Sequence, residues 1–210
     1  MDNSPLKITP VYSLDWLRGL ASLMVCVFHI KKYIWSTAES NLFLKILSQG
    51  YLGVYVFFII SGFIIPYSMY QKEYSIKKFF RYMAKRMVRI EPPYVIFIGL
   101  LFLWNMLVHY LRGWGSWALF DLKSFILNVT YLAPFFQVKW ILIIFWTLAV
   151  EFQFYLLTGF SYDFVMKSKA LKFAFVVLFL SLGFIIPAAY NTVFHNYIYF
   201  FLGLQTFLFY

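Results

Sequence analysis

Cysteine is nearly missing from this chain: Cys26 is the only one in 210 residues. That excludes an internal disulfide and any cysteine-built metal site, and leaves Cys26 as a small packing residue. Charge is also scarce. Lys, Arg, Asp and Glu together make up 12% of the residues, of which only 8 are acidic, against about 25% charged in a typical soluble domain. There is no dinucleotide fingerprint, phosphate-binding loop, zinc spacing or serine elbow, and no internal repeat or low-complexity tract. Gly113 and Gly115 stand in a short loop without the strand that a phosphate loop requires.

What the chain has instead is apolar bulk. It is 63% hydrophobic, with 27 Phe, 17 Tyr and 7 Trp. A soluble fold could not hide that much apolar surface, so the expectation is an all-α, polytopic bundle of membrane-spanning helices. Spans of the required length, about 20 residues, can be drawn at 14–34, 50–70, 92–111, 140–160, 171–189 and 193–210. The first carries Asp15 and Arg18 at its front and Lys31-Lys32 behind it, which is not the pattern of a cleaved leader.

The net charge of +10 does not imply nucleic acid. The cations lie beside the spans, where membrane topology and lipid headgroups account for them. The densest run, Lys72 to Arg89 between the second and third spans, belongs in the cytoplasm by the positive-inside rule. The N-terminus is then cytoplasmic, 112–139 outside, 161–172 inside and 190–192 outside, with Lys31 and Lys32 as a mild exception. Residues 75–90 read as an interfacial helix running into the third span. Phe79, Phe80, Met83, Met87 and Ile90 form its apolar side, and Pro92-Pro93 should end or kink it.

Against this background a few polar groups stand out. At 100° per residue, Asp15, Arg18, Ser22, Cys26 and His29 fall in a stripe about 80° wide on the first span. Ionisable groups in a span are costly, roughly 2.5–3.5 kcal/mol for Arg or Asp at mid-bilayer, so the stripe is expected to point inward at a site. Asp15 suits the positive start of the helix and can pair with Arg18 at i+3. His29 lies about 16 Å further along, toward the outer face, where a neutral imidazole can accept a proton. A packing histidine bonded to a neighbouring helix is the competing reading.

The fourth span carries a second stripe, Trp140, Thr147, Glu151, Tyr155 and Thr158. Glu151 needs a cation, a histidine or its own proton there, and the alternative role is an interhelical anchor. Arg86 and Arg89 stand at i, i+3 and can face one anion, as paired guanidiniums do for phosphate. They can equally set topology and bind lipid headgroups. Gly53, Ser61 and Gly62 permit close helix approach. His109 and His195 belong at span ends. Trp114, Trp117, Phe135 and Phe136 read as an interfacial aromatic belt, with sugar stacking as the alternative. Base catalysis and proton-coupled transport through His29 and Glu151 both remain open on the residues alone.

Four blocks together resemble acyltransferase family 3 of membrane proteins. They are Leu14-Asp15-Trp16-Leu17-Arg18-Gly19-Leu20-Ala21 ending at His29, Gly53-Val54 through Phe57-Phe58 to Ser61-Gly62-Phe63, Arg86 to Tyr94, and Trp146 to Tyr155 with Glu151 and Gln153. The resemblance implies an acyltransferase that moves an acyl group, acetyl by expectation, from acyl-CoA to a hydroxyl of a sugar or glycan, without a metal. It implies His29 as general base and Arg86 and Arg89 as holders of the coenzyme A phosphates. Glu151 would support them, with Asp15, Arg18, Ser61, Trp146 and Tyr155 around the site. It places the chain in the inner (plasma) membrane as a multi-pass protein. It also implies a usual ten spans, of which this chain carries about six. Residues 1–210 would then be the N-terminal part of a single membrane domain. A fragment, an inactive scaffold, or a short form needing a partner for the missing spans are the readings that follow.

Overall fold

The computed structural model describes residues 12–34, 41–113, 122–186 and 192–209. Every regular element among them is helical: α1 (Tyr12–Ile34), α2 (Leu42–Ser48), α3 (Leu52–Gln71), α4 (Phe79–Arg112), α5 (Leu122–Val129), α6 (Phe145–Val165), α7 (Lys169–Ile185) and α8 (Val193–Phe209), with short 3-10 turns between some of them. The six expected spans overlap α1, α3, α4, α6, α7 and α8 in turn. Three stretches among the described residues, Tyr12–Lys32, Leu42–Gln71 and Ile76–Arg112, are long and apolar enough to cross a membrane. α7 and α8 have 17 residues each, at the lower end of the range of about 17–25 for a spanning helix.

The chain forms two compact units, Met1–Tyr74 with Asn196–Tyr210, and Ser75–His195. The first is built on close helix approach. α1 buries Ala21 completely, and a Cβ on Gly53 of α3 would stand 2.5 Å from the Ala21 carbonyl oxygen. α3 also meets α8, where Gly62 and Gly203 bring the two backbones together. Phe58 stacks on Phe200 at 4.7 Å and Tyr55 on Tyr199 at 4.1 Å beside that crossing. Apolar lipid offers helices no hydrophobic drive to associate, so such small-residue contacts carry the packing.

In the second unit α6 packs against the N-terminal half of α4. Phe145 meets Tyr94 edge-on at 4.5 Å, the Tyr82 hydroxyl lies 3.2 Å from Thr158 Oγ1, and Phe79 stacks on Phe160 at 4.2 Å. Asp163 accepts a hydrogen bond from the Ile76 backbone N–H at 2.8 Å. Residues 75–90 are therefore more than an interfacial helix. Phe79, Met83 and Ile90 are buried, whereas Phe80 on the other side is exposed.

Three details depart from the sequence reading. Pro92 and Pro93 do not end a helix: α4 runs through them for 34 residues, because packing by α6 on both sides outweighs two missing donors. Those prolines withdraw the helical N–H groups that would reach the carbonyls of Val88 and Arg89. Trp140 lies before α6, which starts at Phe145, so it does not belong to the Glu151 stripe. Finally, residues 112–139 read as one loop, yet they hold α5, and Asn128 and Tyr131 meet Tyr94 in the middle of α4. Trp114 and Trp117 lie outside the described residues.

Candidate functional site

His29 belongs to the first unit, and Arg86, Arg89 and Glu151 belong to the second. On α1, His29 and Arg18 are half-buried, while Asp15, Ser22 and Cys26 are exposed. The expectation that the whole stripe points into a covered site is not realised within the described residues. Its front end opens on a shallow, mostly apolar hollow lined by Tyr12, Asp15, Trp16, Gly19, Leu20 and Leu23. The His29 ring meets Phe28 edge-on at 5.3 Å, and Phe28 in turn meets Tyr51 at 6.0 Å. Lys31, which hydropathy reads as a flanking cation, is buried two residues further on, 8% exposed. A cation suits the last turn of α1, where the helix dipole is negative. Ser61 is buried on α3 next to Gly62.

The second unit assembles a polar cluster between α4 and α6. Arg86 is half-buried and lies between two aromatic faces, its guanidinium carbon 5.5 Å from the Tyr82 ring centre and 5.4 Å from that of Tyr155. A guanidinium at that range gains from the ring quadrupoles, about 0.5–1 kcal/mol where exposed and about 2 or more where desolvated. Tyr155, itself buried, donates its hydroxyl hydrogen to Glu151 Oε1 at 2.5 Å. Tyr155 therefore joins Glu151 and Arg86 in one group. Arg89 is exposed one turn beyond Arg86. One guanidinium is thus held by two rings and the other is exposed. Trp146 is half-buried in the first turn of α6.

Sequence reasoning passed over four members of this neighbourhood. Tyr82 caps the Arg86 guanidinium. Glu91, two residues after Arg89, has a buried Oε1 without a hydrogen-bond partner of normal geometry among the described residues. Tyr131 and Asn128 come from the segment read as an outer loop. Asn128 is the signal that could have found them, since an amide inside an apolar run needs partners. Among the described residues no group of three or more His, Cys, Asp or Glu could hold a metal ion.

The acyltransferase domain family matches residues 11–210. The chain is 27% identical over 172 residues to the acyltransferase MdmB of Streptomyces mycarofaciens, covering 78% of this chain and 42% of that protein. It is 25% identical over 211 residues to the O-acetyltransferase OatA of Staphylococcus aureus, covering 89% of this chain and 31% of that protein. The chain thus spans less than half the length of these relatives. No solved structure matches it.

Proposed function

Because this chain belongs to the acyltransferase domain family, we propose that it works in the transfer of an acyl group, acetyl by preference, from acyl-CoA to a hydroxyl of a sugar or glycan. Arg86, wedged between Tyr82 and Tyr155 with Arg89 one turn away, is the observation that carries the reading. These two cations hold the coenzyme A phosphates. The exposed Arg89 side of the cluster is where the donor docks.

His29 is the general base. It takes the proton of the acceptor hydroxyl as that oxygen attacks the thioester carbonyl. The C–S bond then breaks, and the imidazolium returns the proton to the departing thiolate. An imidazole suits this work because its charge changes near neutral pH. Glu151, through Tyr155, balances the cation at the donor end. The relatives' names support acyl transfer and, for one of them, O-acetyl transfer. The protein sits in the inner membrane with six crossings, a cytoplasmic N-terminus and the basic half of α4 toward the cytoplasm.

Arg86→Ala is expected to weaken coenzyme A binding about tenfold to a hundredfold, the range for losing hydrogen bonds to a charged group. Arg86→Lys should recover only part of it, because an ammonium lacks the planar fork. Titration of the detergent-solubilised protein with coenzyme A, and with dephospho-coenzyme A as the arm lacking one phosphate, reads both. Equal affinity in wild type and Arg86→Ala would remove the donor role from this cluster.

A further inference from the structure

Tyr131 stands where helices usually end on glycine. The Leu132 N–H reaches the Leu127 carbonyl at 2.8 Å and the Tyr131 N–H reaches the Asn128 carbonyl at 3.0 Å. These are the paired bonds of a Schellman motif closing α5, and Tyr131 occupies its left-handed position at φ 59°. A bulky aromatic is rarely found there. Such strain persists only where the surroundings enforce it, and it concentrates at functional sites.

Asn128 does the enforcing. It is fully buried, and every polar atom of its side chain is used. Nδ2 donates to the Ser124 carbonyl at 2.9 Å and to the Lys139 carbonyl at 3.3 Å, and Oδ1 accepts from the Ile141 N–H at 3.0 Å. Its backbone carbonyl also accepts the Tyr94 hydroxyl at 2.9 Å. Asn128 thus ties the end of α5, the approach to α6 and the middle of α4 to one point.

The result is a buried aromatic ring held between α4 and α6. Tyr131 is 3% exposed, stacks on Tyr94 of α4 at 5.4 Å and meets Phe152 of α6 in a tilted contact at 5.1 Å. Glu91 lies one turn before Tyr94, and Glu151 directly precedes Phe152. The Tyr131 hydroxyl and Glu91 Oε1 are both buried without a normally formed hydrogen bond among the described residues, in a region where an unmade bond costs about 1–3 kcal/mol. Burial pushes the Tyr131 phenol up from its ordinary range, and Glu91, Tyr94 and Glu151 push it further. It therefore remains a neutral donor at physiological pH.

We propose that Tyr131, held by Asn128, is a positioning residue that ties Glu91 and Glu151 into one unit and so fixes the face of α6 that presents Tyr155 to Arg86. The consequence for the donor rests on the reading of Arg86 as a coenzyme A ligand. The linkage itself does not.

Two double-mutant cycles on thermal stability test the linkage in solubilised protein, Tyr131→Phe with Glu91→Gln and Tyr131→Phe with Glu151→Gln. Phenylalanine keeps both ring contacts and removes only the hydroxyl. Each double variant should melt no lower than its less stable single, whereas independent positions add. Additive losses in either cycle overturn the proposal. The donor arm measures acetyl-CoA kinetics of Tyr131→Phe. KM should rise about fivefold to tenfold with kcat within about twofold of wild type, the signature of lost binding without lost chemistry. An unchanged KM in an active wild-type background overturns the positioning role. If the wild type neither binds nor uses coenzyme A, the donor reading fails, and the cycles still decide whether Tyr131 joins the two carboxylates.

Discussion

His29→Ala is expected to lower acyl transfer about 10²–10⁴-fold, the usual worth of a general base, while leaving the fold intact. The geometry of α1 separates these two effects. The packing contacts of α1 lie at Ala21, Met24, Val25 and Phe28, which meet Gly50 and Gly53. His29 is only half-buried, and its ring contact is edge-on with its neighbour Phe28. Removing the imidazole therefore opens no sealed cavity, and the melting midpoint should stay within about 0.5 kcal/mol of wild type, as for other substitutions outside the core. His29→Gln keeps a hydrogen-bonding side chain of similar reach but cannot take up a proton near neutrality, so it should be as inactive as alanine.

The measurement is release of free coenzyme A thiol from acetyl-CoA in membranes carrying the protein together with its acceptor glycan. Loss of turnover at unchanged membrane content and unchanged coenzyme A affinity places His29 in the chemical step. Normal turnover in His29→Ala would end the base assignment. Flux of protons that depends on His29 and Glu151 but needs no coenzyme A would favour transport instead.

The residues show why some of this was readable in the sequence and some was not. The helices follow from apolar runs of fixed length, so α1, α3 and α8 lie within a few residues of the spans drawn for them. Glu151 is conspicuous because a charge in an apolar helix has few reasons to be there, whereas Arg86 stands out of its basic run only by its i, i+3 spacing to Arg89. Their connection through Tyr155 follows from the i, i+4 spacing of Glu151 and Tyr155 on one helix. Tyr82 escapes notice because 17 tyrosines occur in the chain and only the approach of α6 selects this one. The packing of the segment around Asn128 is hidden for a different reason. Hydropathy gives depth from local composition, but Asn128 buries its polarity by bonding Ser124, Lys139 and Ile141, a tertiary arrangement that leaves no periodic trace. Pro92-Pro93 likewise looks like a boundary until the packing of α6 along both sides of it is known.

Gly62→Leu should destabilise the first unit by about 3 kcal/mol or more, at the upper end for overpacking a filled site. The reason is that the neighbour of Gly62 is backbone. A Cβ at position 62 would run into the Phe200 carbonyl, with the Phe200 Cα at 2.9 Å. A Cβ at Gly203 would run into the Ile59 carbonyl, with the Phe63 nitrogen at 2.7 Å. No rotamer change relieves a clash with main chain; α3 and α8 would have to separate. Separation would also unstack Phe58 from Phe200, the latter fully buried. Even Gly62→Ala should lose stability, against the gain of about 0.8–1.0 kcal/mol that alanine normally brings to a helix. Gly99 supplies the contrast, since a Cβ there meets nothing within 4 Å, and Gly99→Ala should be neutral or stabilising. Because Gly62 and Gly203 serve one crossing, Gly62→Ala and Gly203→Ala should be less than additive: once the helices are forced apart, the second methyl finds space already made. Melting of wild type and these five variants in detergent, followed by the loss of monodisperse material, reads every sign. Stabilisation by Gly62→Ala of the size found for Gly99→Ala would show that α3 and α8 do not approach at these two glycines.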